Sequence, residues 1–123
     1  MQIAKIMVVD DTTFMRVMLK NMLETSGHEV VVEAANGEDA IQMFKQYKPD
    51  LVTMDITMPV MGGIEALMMI LEYNRQAKVI MCSAVSQQKY VINAIQAGAK
   101  DFIVKPFQRE RVLQAIKTAL KHE

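Results

Sequence analysis

Side chains that can bind cations and phosphate follow four short apolar runs in this sequence. Two neighbouring aspartates, Asp10 and Asp11, come directly after "KIMVV". Asp55 ends "LVTMD", Ser83 ends "VIMCS" and Lys105 follows "DFIV". Because each apolar run is typical of a buried strand, the sequence predicts three carboxylates, one hydroxyl and one amine at the strand ends.

The three carboxylates predict a site for a divalent cation. Carboxylates that lie within a few ångströms repel one another, so either their pKa values rise or a cation joins them. Oxygen ligands favour a hard ion, and Mg²⁺ typically takes one or two carboxylates together with a phosphate oxygen and water. Lys105 can offset the remaining negative charge or bind phosphate, and Ser83 can donate a hydrogen bond to an anionic oxygen.

Asp55 is the candidate nucleophile. A carboxylate beside Mg²⁺ can attack phosphorus and form an aspartyl phosphate. Asp55 is expected on the central strand, where the cation and Lys105 would neutralise the phosphoryl oxygens. Alone, each of these residues is more commonly a turn former or a helix cap. A functional site is indicated by their combined order: an acid pair after the first strand, then Asp, Ser and Lys at the ends of the third, fourth and fifth strands.

Five β-rich runs alternate with five amphipathic helical patterns, which predicts an α/β fold of the (βα)₅ type. Most runs are nearly continuous Val, Ile and Met, the pattern of parallel strands covered on both faces. Right-handed crossovers then bring the carboxyl ends of the strands to one edge, where such sheets bind ligands. The predicted strands are 4–9, 29–34, 51–55, 78–83 and 101–105.

Apolar spacing also predicts which helix faces pack on the sheet. Asn36 and Ser86 are the predicted N-caps of the second and fourth helices. Apolar residues share one face on three helices: Phe14, Val17, Met18 and Met22 on the first, Ile64, Leu67, Met68 and Leu71 on the third, and Val112, Ala115, Ile116, Ala119 and Leu120 on the fifth.

Length and composition fit one globular domain over residues 1–123, with no linker, repeat or low-complexity tract. Lys plus Arg and Asp plus Glu each total 14, and this balance argues against non-specific nucleic-acid binding. No apolar run approaches the roughly 20 residues that span a bilayer, and the N-terminus lacks a signal-peptide pattern. One cysteine, Cys82, fits a reducing compartment. The 12 methionines are either core filler or a pliable binding surface.

From Ile3 to about Leu120 the sequence resembles the receiver domains of bacterial two-component response regulators. The matching stretches are "VVDD", "DLVTMDITMPVMGG", "VIMCSA" and "AGAKDFIVKPF". The resemblance implies a flavodoxin-like three-layer sandwich with strand order 2-1-3-4-5, the order known for flavodoxin and the chemotaxis receiver. It also implies a cis peptide bond between Lys105 and Pro106. "DDTTFMR" and "TMDITMP" look most like single-domain chemotaxis regulators of Gram-positive and thermophilic bacteria.

The resemblance implies a role for each polar strand-end residue. Asp55 would be the phosphoryl acceptor. Asp10 and Asp11 would hold Mg²⁺ together with Asp55 and the backbone carbonyl of Thr57. Lys105 would contact the phosphoryl group. On this basis the protein is a phosphorylation-switched signalling protein, which assists its own phosphoryl transfer and autodephosphorylation but is not a turnover enzyme.

The resemblance also implies a conformational switch at Ser83 and Phe102. Phosphorylation would draw the Ser83 hydroxyl toward the phosphoryl oxygens, and Phe102 would then rotate inward. The surface of the fourth helix, fifth strand and fifth helix would change, with Tyr90, Lys100 and Phe102 on that output face. Two positions depart from common patterns: Gly62 replaces an aspartate, and Phe102 lacks the hydroxyl of the tyrosine that some members carry.

Partners follow from the same resemblance. A sensor histidine kinase would donate the phosphoryl group, the flagellar motor switch protein would be the target, and a chemotaxis phosphatase is a further possible partner. We expect a cytoplasmic monomer with no direct nucleic-acid contact and no membrane insertion.

Other functions compete with this interpretation. The receiver could serve another two-component pathway, such as sporulation or a phosphorelay. It could belong to a longer DNA-binding regulator, although a chain ending in "ALKHE" without a linker favours a stand-alone module. An aspartyl-nucleophile phosphohydrolase would need a general acid where Thr57 stands. A flavin carrier would need a phosphate loop where Asp10 and Asp11 would repel the phosphate.

Overall fold

The protein is described by a computed structural model that covers residues 3–84 and 88–121. Five strands alternate with five helices along the described chain. The strands are β1 (Lys5–Val9), β2 (Glu29–Ala34), β3 (Leu51–Asp55), β4 (Val79–Ser83) and β5 (Asp101–Val104), and the helices are α1 (Thr13–Glu24), α2 (Gly37–Tyr47), α3 (Gly63–Tyr73), α4 (Gln88–Gln96) and α5 (Arg109–Lys121).

The five strands form one parallel sheet in the order β2-β1-β3-β4-β5, which confirms the predicted fold class and strand order. Every strand begins and ends within one residue of its prediction. Asp55 at the end of β3 pairs with Cys82 of β4, and Ser83 of β4 pairs with Val104 of β5. The polar residues that end these strands therefore lie along one edge of the sheet.

Two apolar cores lie on opposite faces of the sheet because successive strand side chains alternate between the faces. One core packs strand residues such as Met54 and Met81 against α2, α3 and α4. The other packs residues such as Leu51 and Ile80 against α1 and α5. Every residue of β3 and β4 is buried, which agrees with their continuous apolar sequences.

The predicted apolar face of α1 is right for two residues and wrong for the other two. Leu19 and Leu23 are the buried residues of this helix, whereas Phe14 and Val17 are 69% and 49% exposed. Met18 and Met22 of the predicted face are partly buried against the core. Apolar residues surround most of α1, so their spacing alone does not select the face that meets the sheet.

The predictions for α2, α3 and α5 agree more closely with the structure. All five predicted residues of α5 are buried, and on α3 Leu67 is buried while Met68 is 56% exposed. Asn36 caps α2 as predicted, because its side-chain oxygen accepts a hydrogen bond of 2.8 Å from the Asp39 amide. The predicted cap Ser86 lies outside the described residues.

Two further expectations can be compared with the fold. The Lys105–Pro106 peptide bond is cis, as the family resemblance implies. Methionines lie both in the core, as with Met54, and on the surface, as with Met69, which is 45% exposed.

Among the described helices, none is long and apolar enough to cross a membrane.

The loop from β3 to α3 contains a strained residue, Val60. Its φ angle is 67°, although a β-branched side chain disfavours the left-handed region. The Met61 amide donates a hydrogen bond of 2.7 Å to the Pro59 carbonyl, which closes a three-residue turn around Val60. The side chain is 76% exposed, so few packing contacts offset this backbone cost.

We expect Val60→Asn to raise the free energy of unfolding by about 1 kcal/mol, because asparagine tolerates positive φ and no buried contact is lost. Equilibrium urea unfolding measures this change. Val17→Asn, at another exposed valine but with helical backbone, is the control and should bring no gain. An equal gain at both positions would contradict a backbone origin.

Candidate functional site

The end of β1 holds the Asp10 carboxylate in a fixed position. Asp10 is buried, and its backbone amide donates to the Ala34 carbonyl of β2 at 3.1 Å. Its Oδ1 accepts hydrogen bonds from the Thr12 amide at 3.0 Å and from the Thr12 hydroxyl at 3.1 Å. Thr12 is also the N-cap of α1, so the turn that begins the helix also orients the carboxylate.

The three predicted ligand carboxylates come together at this edge. One carboxylate oxygen from each of Asp10, Asp11 and Asp55 lies within 4.8 Å of the other two. Asp10 and Asp55 are buried, whereas Asp11 is exposed. An all-oxygen donor set of this size fits a hard divalent cation such as Mg²⁺.

Lys105 bridges two of these carboxylates. Its Nζ lies 2.6 Å from Asp10 Oδ2 and 3.4 Å from Asp55 Oδ1, and its side chain is 13% exposed. Burial opposes the charged ammonium, but the hydrogen bond to Asp10 and the negative charge of Asp55 outweigh it, so the pKa of Lys105 is raised. Lys105 is therefore a fixed positive charge within the acid cluster.

Burial raises the pKa of Asp55 from 3.8 to about 6. Lys105 opposes this rise, while the negative charges of Asp10 and Asp11 add to it. Without a further cation, the ionised Asp55 carboxylate is therefore an unfavourable state that a positive ligand would relieve.

The return of the chain from Asp55 to α3 depends on a glycine that the sequence analysis did not single out. A Cβ atom at Gly63 would overlap the backbone carbonyl oxygen of Asp55. The Gly63 amide donates to the Ile56 carbonyl at 2.8 Å, which folds the loop back against the strand end. Gly62 is the position where related sequences commonly have an aspartate. A Cβ atom there would lie 3.3 Å from the Ile56 carbonyl oxygen. The adjacent glycines in "MGG" are the signal for this close approach.

The predicted switch residues lie on the neighbouring strands β4 and β5. Ser83 is buried at the end of β4, and its carbonyl accepts a hydrogen bond of 2.8 Å from the Lys105 amide. Phe102 is 7% exposed and packs in the core shared with α3 and α4. Of the three residues expected on the output face, Lys100 is exposed and Tyr90 is half-buried, but Phe102 lies inside in this conformation. Thr57 is exposed in the loop that follows Asp55.

The sequence matches the model of a known protein family. The model for the response regulator receiver domain matches residues 6–117. The chain belongs to the response regulator receiver family.

Sequence identity to individual relatives indicates which type of receiver domain this chain resembles. The chemotaxis protein CheY of Bacillus subtilis (strain 168) is 60% identical over 116 residues, which are 94% of this chain and 97% of that protein. The chemotaxis protein CheY of Thermotoga maritima is 53% identical over 117 residues, with 95% and 98% covered.

A solved structure of a receiver superposes closely on this fold. The CheY chain from the CheX–CheY–BeF₃–Mg²⁺ complex of Borrelia burgdorferi gives a TM-score of 0.90 at 39% identity. The match covers 93% of this chain and 87% of that one. As a receiver of the chemotaxis type, the protein is a signalling protein that depends on phosphorylation.

The raised pKa of Asp55 predicts a pH-dependent stability in the absence of Mg²⁺. Because the folded-state pKa of about 6 exceeds the unfolded value of 3.8, the protonated group favours folding. This contribution is complete below the unfolded pKa and is lost as the pH rises through the folded pKa.

We therefore expect Asp55→Asn to raise the free energy of unfolding by about 2–3 kcal/mol at neutral pH, because two pKa units correspond to roughly that energy. The difference should vanish in acid, below the unfolded pKa. Urea unfolding in a chelating buffer at several pH values measures it. Asp50→Asn, at an exposed aspartate whose carboxylate accepts from the Lys5 amide, is the control. A gain that is the same in acid and at neutral pH would contradict the electrostatic cause.

Proposed function

We propose that the protein receives a phosphoryl group from a histidine kinase on Asp55 and carries a chemotaxis signal to a target protein. One observation carries this proposal: Asp55 ends the central strand within 4.8 Å of two further carboxylates and 3.4 Å from the Lys105 ammonium. A buried nucleophilic carboxylate beside a cation site and a fixed ammonium has the parts that phosphoryl transfer to aspartate requires.

The residues that would hold Mg²⁺ are Asp10, Asp11, Asp55 and the backbone carbonyl of Thr57. Three carboxylate oxygens within 4.8 Å support this assignment, because they match the ligand type that Mg²⁺ takes. When bound, the ion would supply positive charge to the phosphoryl oxygens. Lys105 would contact the same oxygens, and Asp55 would attack phosphorus while the bond from phosphorus to the kinase histidine nitrogen breaks.

The proposed switch couples Asp55 to the surface formed by α4, β5 and α5. The Ser83 hydroxyl would donate to a phosphoryl oxygen, which is a charge-assisted hydrogen bond. Phe102 already lies in the core, so we propose that its ring exchanges between this inward position and an outward one. Phosphorylation would shift the balance between the two states and thereby the surface that carries Tyr90 and Lys100.

The proposed partners are a sensor histidine kinase, the flagellar motor switch protein and a chemotaxis phosphatase. The chemotaxis relatives support the kinase and the motor switch, and the complex of CheX with CheY from Borrelia burgdorferi supports a further chemotaxis partner. We propose one receiver domain over residues 1–123, acting as a cytoplasmic monomer without direct contact to nucleic acid or insertion into membranes. The family match over residues 6–117 supports the domain, and the free thiol of Cys82 is compatible with a reducing compartment.

The proposed chemistry is a single self-assisted transfer, followed by hydrolysis of the aspartyl phosphate. Receiver domains are signalling proteins and not classical turnover enzymes. Lys105 and the cation ligands would therefore assist the formation and the hydrolysis of the phosphoryl group on Asp55 itself, and the hydrolysis would release inorganic phosphate.

Asp55→Asn is expected to abolish phosphorylation by acetyl phosphate in the presence of Mg²⁺, because the amide removes the nucleophilic oxygen. Incorporation of labelled phosphate and intact mass measure the product. Asp50→Asn, at an exposed aspartate outside the cluster, should be phosphorylated like the unchanged protein. Normal incorporation into Asp55→Asn with no new acceptor site would refute the assignment of the acceptor.

Lys105→Ala is expected to retain part of the phosphorylation but to lose its coupling to target binding, because Lys105 joins the acid cluster to the end of β5. Binding of the phosphorylated or BeF₃-treated protein to a motor switch peptide measures the coupling. Lys45→Ala on the exposed part of α2 is the control and should bind the peptide normally. Equal peptide affinity of the phosphorylated Lys105→Ala variant and the unchanged protein would contradict the coupling role.

A further inference from the structure

Arg16, in the first turns of α1, makes three separate contacts with its guanidinium group. Nη1 donates to the Asp10 carbonyl at 2.7 Å, Nη2 donates to the Thr13 hydroxyl at 3.2 Å, and Nε donates to Glu33 Oε1 at 3.1 Å. The side chain is 17% exposed. Each nitrogen of the group thus has a different partner: the end of β1, the start of α1 and the strand β2.

The contact with the Asp10 carbonyl fixes the peptide plane that leads into Asp11. The Asp10 amide is already held by the Ala34 carbonyl of β2 at 3.1 Å. A peptide unit is planar, so fixing its carbonyl oxygen also fixes the nitrogen and Cα of the next residue. Arg16 therefore determines where the backbone of Asp11 lies.

Asp11 needs this support more than the other two acids do. The carboxylates of Asp10 and Asp55 are buried and contact Lys105. The carboxylate of Asp11 is exposed, and within the described residues it makes no hydrogen bond or salt bridge. Its approach to Asp55 depends on the backbone that Arg16 holds.

We infer that Arg16 is a positioning residue for cation binding: it fixes the peptide between Asp10 and Asp11 so that the Asp11 carboxylate completes the three-acid site. Glu33 orients the guanidinium and offsets part of its charge, since the Glu33 carboxylate also lies 3.9 Å from Lys20 Nζ. This inference rests on the proposed Mg²⁺ site, and it adds two residues that touch neither the ion nor the phosphoryl group.

Geometry and charge predict opposite effects for Arg16, which makes the inference testable. A positive charge near three carboxylates repels a cation, so charge alone predicts tighter Mg²⁺ binding when Arg16 is removed. Positioning predicts weaker binding. Lysine keeps the charge but presents a single ammonium, which cannot reach three partners in the planar fork of arginine. Arg16→Lys therefore separates the two effects.

The experiment is a Mg²⁺ titration of the unphosphorylated protein, in which the amide chemical shifts report binding. Arg16→Ala and Arg16→Lys should both bind Mg²⁺ about tenfold more weakly, the usual loss when a residue that supports metal ligands is removed. Glu33→Gln should also weaken binding, because it releases the guanidinium and leaves its charge uncompensated. The double variant Arg16→Ala with Glu33→Gln should be no weaker than Arg16→Ala alone, because the two residues act through one contact.

Arg111→Ala is the matched control. Arg111 makes a comparable ion pair of 2.8 Å with Asp101 on β5, away from the acid cluster, so its loss should leave Mg²⁺ affinity unchanged. Thermal unfolding identifies any variant that fails to fold, and Arg16→Lys, which keeps the positive charge, then still decides the question. Unchanged or tighter Mg²⁺ binding by folded Arg16 variants would overturn the inference. Absence of Mg²⁺ binding by the unchanged protein would instead overturn the proposed cation site.

Discussion

The site depends on an imbalance of charge that the fold holds in place. Three carboxylates and one ammonium lie together at the carboxyl edge of the sheet, so the four groups carry two more negative charges than positive ones. Two of the carboxylates are buried, where water stabilises them poorly. The rise in the pKa of Asp55 to about 6 is the direct consequence of that burial. A ligand that brings positive charge is favoured there, because it relieves an electrostatic cost that the folded chain already bears.

The sheet and its loops maintain this arrangement by different means. Parallel pairing places the ends of β1, β3, β4 and β5 at one edge, which fixes the positions of the backbone. The loops then aim the side chains: Thr12 binds the Asp10 carboxylate, and Gly63 lets the chain pass directly over the Asp55 carbonyl. Arg16 and Glu33 extend the same support to β2, the edge strand that supplies no side chain to the cluster itself. The folded chain keeps these mutually repelling carboxylates close together because strand pairing and loop hydrogen bonds hold most of their backbone in place.

Much of this could be predicted from the sequence, because strands covered on both faces are continuously apolar and end abruptly at polar residues. The bounds of β3 and the gathering of Asp10, Asp11 and Asp55 follow from that pattern alone. The buried face of α1 could not be predicted, because methionine, valine, leucine and phenylalanine surround most of that helix. The role of Gly63 depends on how closely the loop after β3 passes the end of that strand. The sequence indicates this close approach only by two adjacent glycines. The inward position of Phe102 could not be predicted, because an aromatic residue on the edge strand β5 can lie against either the core or the solvent.

The position of Lys105 explains how a change at Asp55 can reach the surface of α4, β5 and α5 under the proposed function. Its ammonium is shared between Asp10 at 2.6 Å and Asp55 at 3.4 Å, so it lies nearer to Asp10 before any phosphoryl group is present. A phosphoryl group on Asp55 would add charged oxygens that compete with Asp10 for this ammonium. The Lys105 backbone amide is bonded to the Ser83 carbonyl at 2.8 Å, so a shift of the lysine acts on the ends of β4 and β5 together. Phe102 lies on β5, three residues before Lys105, which places the core aromatic within reach of that shift. One redistribution of hydrogen bonds around a single ammonium can therefore change the packing behind the output surface without any change in the order of the strands.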